Sequence, residues 1–186
     1  GRAFPQTLKL GNGVNVFNVT TLNIGSMANR DCGQLTFNTA SGTLTVRAVS
    51  GTGRASVKIG VGTVTTGYVA TNAFNATGHN IDMLLHTLTI GDEARGGGST
   101  YLFCFDSGTI DTTGMRIGCR PAAGIPNAAG VTHTYLASIG GGSLTVGTNG
   151  IVMGENLNSR TNATIIPTVE IWGGSVTVNG PVYMYR

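Results

Sequence analysis

Gly142-Ser143-Leu144-Thr145-Val146 runs through a short turn into Ile151-Val152-Met153-Gly154, two pieces of alternating apolar and polar residues opened and closed by glycine. Both pieces recur. The first returns as Gly42-Thr43-Leu44-Thr45-Val46, Gly62-Thr63-Val64-Thr65, Gly108-Thr109-Ile110-Asp111 and Gly174-Ser175-Val176-Thr177-Val178. The second returns as Leu22-Asn23-Ile24-Gly25, Val57-Lys58-Ile59-Gly60, Leu88-Thr89-Ile90-Gly91 and Met115-Arg116-Ile117-Gly118. A third element precedes the first: Leu35-Thr36-Phe37, Tyr101-Leu102-Phe103, Tyr135-Leu136-Ala137 and Val169-Glu170-Ile171, whose last three copies open at Thr100, Thr134 and Thr168, 34 residues apart.

A period of two sends alternate side chains to opposite faces, so each unit reads as three short strands with one apolar side. One such unit cannot bury that side alone, whereas stacked units share a continuous core and parallel backbone ladders. The expected fold is all-β, a single-domain parallel β-helix (solenoid) over residues 1–186, with about five to six coils near 1–25, 34–60, 61–91, 100–118, 132–154 and 166–186. In this reading Phe74-Asn75-Ala76-Thr77-Gly78 interrupts the third coil. Register puts Asp111 in the column of Thr145 and Thr177, Glu170 in that of Leu102 and Leu136, and Trp172 in that of Cys104 and Ser138. A β-sandwich is the competing architecture; it explains short strands but not the ordered recurrence of the same motifs.

Composition agrees with an all-β chain: 30 Gly, 10% charged residues and β-branched residues in every apolar run disfavour helix, while 40% apolar content suffices for a core. The net charge of +3 is spread thinly, with lysine only at Lys9 and Lys58. Nucleic-acid binding, which uses dense basic patches with interleaved aromatics, is not expected. No apolar run of about 18 residues predicts membrane insertion. The odd set Cys32, Cys104 and Cys119 has no zinc-type spacing; either Cys104 and Cys119 close one disulfide or all three are small hydrophobes.

The Gly-Thr-Leu-Thr-Val and Leu-Thr-Ile-Gly repeats resemble those of bacterial autotransporter-associated β-strand proteins and similar adhesin-like secreted solenoids. The resemblance extends over most of residues 34–180. It implies a right-handed parallel β-helix, an extracellular or cell-surface location and no catalytic residues to carry over. The long inserts between coils and the lack of a membrane-barrel segment depart from that pattern.

Few residues point to chemistry. There is no Gly-x-Ser-x-Gly elbow, and His79, His86 and His133 are scattered, with His86 and His133 read as solvated strand-end residues. Sugar cleavage needs clustered carboxylates, and only Asp106 and Asp111 flank one turn. Neither a calcium nonapeptide nor a phosphate loop is present, so the chain is read as a non-enzyme without metal or cofactor. Inserts 26–33, 92–99, 119–131 and 155–166 follow closing glycines, and Arg30, Arg95, Arg120 and Arg160 each fall in one of them. They form either a guanidinium ladder for an anionic glycan or ordinary soluble loop residues. Asn18, Asn75 and Asn162 begin glycosylation sequons. Strand-like residues near both ends, without a cap, predict head-to-tail self-association into a filament. The expected role is an extracellular structural or adhesin-like solenoid; the alternative is a carbohydrate-binding or polysaccharide-degrading β-helix.

Overall fold

The computed structural model describes residues 6–25, 32–60, 71–92, 98–119, 130–155 and 164–185. Each of these segments makes one coil. Gln6–Leu10 (β1), Val14–Asn18 (β2) and Thr21–Ile24 (β3) form the first, and Gly33–Phe37 (β4), Thr43–Arg47 (β5) and Ala55–Ile59 (β6) the second. The third and fourth are single bent strands, Thr71–Ile90 (β7) and Thr100–Ile117 (β8). Thr132–Ile139 (β9) and Ser143–Met153 (β10) make the fifth; Thr164–Ile171 (β11), Ser175–Val178 (β12) and Val182–Met184 (β13) make the sixth.

Every pairing is parallel, in three faces: β1-β4-β7-β8-β9-β11, β2-β5-β7-β8-β10-β12 and β3-β6-β7-β8-β10-β13. This is a parallel β-solenoid, with four coils covered on both sides and one further coil at each end; the β-sandwich is excluded. Inside, the alternation of each strand builds continuous apolar columns. One runs Leu22, Val57, Leu88, Met115, Ile151 and Val182. Another runs Ile24, Ile59, Ile90, Ile117, Met153 and Met184.

The closing glycines stack at one corner, where the amides of Gly60, Gly91, Gly118 and Gly154 donate to the carbonyls of Ile24, Ile59, Ile90 and Ile117. Flat side chains lean against them from inside. Tyr101 and Tyr135 stack with ring centroids 4.7 Å apart and planes 5° apart. A Cβ on Gly91, whose φ is +64, would come within 2.1 Å of the Tyr135 ring, and one on Gly60 within 2.1 Å of Tyr101. Asn72 continues the column below Tyr101, where its Oδ1 accepts the Gly33 amide at 2.9 Å. Glycine is therefore required at this corner twice over, by the left-handed turn and by the ring that fills the space.

Several registers differ from the sequence reading. Of the expected interruption, Phe74-Asn75-Ala76 is regular and pairs with Phe103-Cys104-Phe105, as Leu35 pairs with Phe74, whereas Thr77 and Gly78 fall in a register shift between Ala76 and Asn80. Gly62-Thr63-Val64-Thr65 lies outside the described residues, and Asn80-Ile81-Asp82-Met83 pairs with Thr43-Leu44-Thr45-Val46 instead. Thr45 shares a column with Asp82, Thr109, Ser143 and Ser175, so the Gly42 copy of the first motif sits two residues out of step with the later ones. Thr134 pairs with Ile166 rather than Thr168, which places Glu170 beside Ser138 and Cys104, not Leu136 and Leu102. Trp172 falls beyond β11 and is 75% exposed, outside the column of Cys104 and Ser138. A two-residue slip keeps every side chain on the same face, so the apolar pattern does not reveal it.

The histidines also differ. His133 is 1% exposed and faces inward, and His79 is stacked on Phe37 with centroids 3.7 Å apart. Only His86 is solvated; it is an extra residue in β7 opposite the step from Ala55 to Ser56, a bulge that turns it outward.

Replacing Gly91 with Ala combines left-handed strain with a clash against Tyr135 and is expected to destabilise by about 3 kcal/mol. At Gly78, whose φ is +81 and around which there is open space, Ala is expected to cost about 1 kcal/mol. Urea unfolding of the two variants measures the difference; equal losses would rule out ring packing as the corner's determinant.

Candidate functional site

Gly25, Gly60, Gly91, Gly118 and Gly154 share one corner, so the residues that join each coil to the next follow on from it. The sequence reading placed connections after Gly25, Gly91, Gly118 and Gly154 on one edge and the residues after Gly60 within a coil; Gly60 stands at the same corner as the others. Arg30, Arg95, Arg120 and Arg160 all lie outside the described residues, as does Asn162. Asn18 and Asn75 are exposed.

Just outside the glycines, Asp92, Cys119 and Glu155 follow Gly91, Gly118 and Gly154. Arg116, on the outward side of β8, reaches both acids: its Nη2 donates to Glu155 Oε2 at 3.0 Å, and its Nε lies 3.8 Å from Asp92 Oδ2. Asp92 Oδ1 is buried and makes no hydrogen bond among the described residues. Burial raises the Asp92 carboxyl above its ordinary range against the opposing pull of Arg116 and Lys58. Burial also raises the Cys119 thiol, which donates to the Val152 carbonyl at 3.4 Å. A protonated, buried thiol is a poor nucleophile. Arg116 thus ties the residue after Gly91 to the residue after Gly154.

The remaining described carboxylates are likewise engaged. Asp82 pairs with Arg47, and Asp111 takes a two-pronged contact from Arg54 at 2.8 and 3.0 Å. Asp106 accepts the Gly78 amide at 2.8 Å, and Glu170 accepts Trp172 Nε1 at 3.1 Å. Asp106 and Asp111, which flank one turn in the sequence, are thus drawn to different partners. Among the described residues no group of three or more metal-ligating side chains occurs, and no helix is long and apolar enough to cross a membrane. The cysteines are unpaired, so the Cys104 to Cys119 disulfide is not formed. Cys104 points outward between the inward Phe103 and Phe105, while Cys119 is buried beyond the end of β8.

The two end coils, which the sequence reading expected to be uncapped, expose core-facing apolar residues. Leu8, whose column runs inward through Leu35 and Phe74, is 52% exposed at one end. Ile171, Val182 and Met184, also on inward columns, are 56%, 50% and 78% exposed at the other. A depression of about 320 Å³ opens at the first coil beside Leu8, Leu22, Ile24 and Leu35. The signal was the apolar alternation itself: a core-facing position in an end coil has a neighbour on only one side. No protein-family model, curated protein or solved structure matches the chain.

Because Asp92 binds its proton more tightly folded than unfolded, its contribution favours the fold at low pH and is lost as pH rises from about 3.8 through its raised value. Asp92→Asn is therefore expected to be at least as stable as the parent at pH 7. Its advantage should vanish below pH 4, measured by thermal unfolding across pH; a parent that gains stability over that rise, relative to the variant, would contradict the assignment.

Proposed function

We propose that this chain is an extracellular or cell-surface structural module, adhesin-like in kind, that joins end to end with copies of itself. The observation that carries the reading is the exposure of core-facing apolar residues on both end coils, Leu8 at one and Ile171, Val182 and Met184 at the other. Among the described residues the strands of each end coil are paired on one side, which leaves a template for further strands. Isolated surface hydrophobes are common, but core columns that emerge at two opposite ends are a contact waiting for a continuation. The repeat resemblance to autotransporter-associated solenoids supports the location, and the described carboxylates, each engaged within the fold, support a scaffold over a hydrolase.

Glycan binding is the second reading. It is favoured by the outward side of the second face, where Thr109, Ser143 and Ser175 line one column and Asp111, Thr145 and Thr177 the next. Asp82 and Asp111 on that side are matched by Arg47 and Arg54, leaving a neutral hydroxyl-rich surface.

Electron microscopy of the purified chain over a concentration series tests the first reading. Filaments with an axial repeat of about 29 Å, the rise of six rungs at strand spacing, are expected. Single particles at every concentration, together with retention on a neutral polysaccharide matrix, would shift the assignment to glycan binding.

A further inference from the structure

We infer that the end-to-end contact has one polarity and one register, specified by Lys9 at one end and Glu170 at the other; this rests on the reading above that copies of the chain join.

Lys9 and Glu170 belong to the same outward column of the first face. Lys9 pairs with Thr36, Asn75 with Cys104, and Cys104 and Glu170 each with Ser138, with Asn75 one step beyond the Leu35 to Phe74 pair. A second copy stacked in register on the sixth coil would set its Lys9 next to Glu170 at strand spacing, about 4.8 Å along the axis. The other outward columns end without charge: Thr7 and Thr168, Val16 and Ser175, Asn18 and Thr177, Asn23 and Tyr183. Of these columns, the one that is charged at its ends carries opposite signs there, the arrangement that lets a molecule pair with its own copy.

The same register keeps the interior continuous. Leu8 of the second copy would follow Val169, Phe17 would follow Val176, Leu22 would follow Val182, and Ile24 would follow Met184. Each is apolar on apolar. The backbone also permits it. In β11 the amides of Thr164 and Trp172 donate to Val131 and Ile139, so even-numbered amides face β9 and odd-numbered ones face the open edge. Pro167 is odd-numbered and lacks an N–H, the edge position at which a sheet accepts proline. In the inferred register the amides of Val169 and Ile171 meet the carbonyls of Thr7 and Lys9. Slipping the second copy by two residues keeps the faces but separates Lys9 from Glu170, and reversing it makes the strands antiparallel. A second copy is thus the occupant that satisfies charge, core and ladder together.

The test uses the whole 186-residue chain, with assembly followed by sedimentation velocity and electron microscopy at low ionic strength. Lys9→Glu and Glu170→Lys each place like charges at the junction and are expected to raise the concentration needed for assembly about tenfold. The double variant, and an equimolar mixture of the two single variants, restore opposite charges and are expected to assemble like the parent. Rescue by mixing also shows that each single variant is folded. Assembly of the parent with all variants behaving alike would overturn the register while leaving end-to-end joining intact. Parent chain that stays monomeric throughout would overturn both, and single variants that neither assemble nor recover on mixing would overturn the Lys9 to Glu170 pairing.

Discussion

At each turn of the stack the backbone passes through a glycine whose absent side chain leaves room for a flat group from another coil. Gly60 lies against Tyr101, Gly91 against Tyr135, and Gly25 so close to Asn72 that a Cβ would come within 1.7 Å of its Oδ1. In each of these three the nearest partner comes from the coil after next, and Asn72, Tyr101 and Tyr135 also lie against Gly60, Gly91 and Gly118 of the coil before their own. The rings thus set the height at which successive turns settle. The glycine column fixes the corner from which the inserts depart, and with it the phase of the three faces.

From that corner the rest follows by alternation. Inward columns of aliphatic residues fill the core, and outward columns carry Thr, Ser and Asn, which hydrate well and suit extended backbone. The few ionic groups brace the stack: Arg116 links the stems after Gly91 and Gly154, and Arg47 and Asp82 join neighbouring coils. Core-facing apolar residues remain exposed on the two end coils.

The alternation of Leu44 and Val46, or of Leu88 and Ile90, and the glycine after each third strand made the coil and its inward face legible from residue order alone. What remained hidden was phase along the strand. Val169-Glu170-Ile171 matches Tyr135-Leu136-Ala137 as well by pattern as it matches Ala137-Ser138-Ile139 in space, because both alignments bury the same parity. Bulges such as the one at His86 add residues without changing composition, and a buried imidazole such as His133 reads in a sequence like any polar strand residue. The end surfaces were half legible: open strands were evident, but the columns joining Lys9 to Glu170 needed the register.

Arg54 adds a coupling of its own. It precedes β6 in the second coil, donates to the Leu85 carbonyl in the third at 2.8 Å, and grips Asp111 in the fourth. A solenoid held only by adjacent contacts behaves as a one-dimensional array, in which a coil can melt alone once its neighbours open. A strap over three coils, reinforced by rings that skip a coil, lengthens the smallest unit that can come apart. Fraying from an end therefore meets a block that yields in one step, and the middle of the stack responds to heat or pulling force as a single cooperative body rather than as separable rungs.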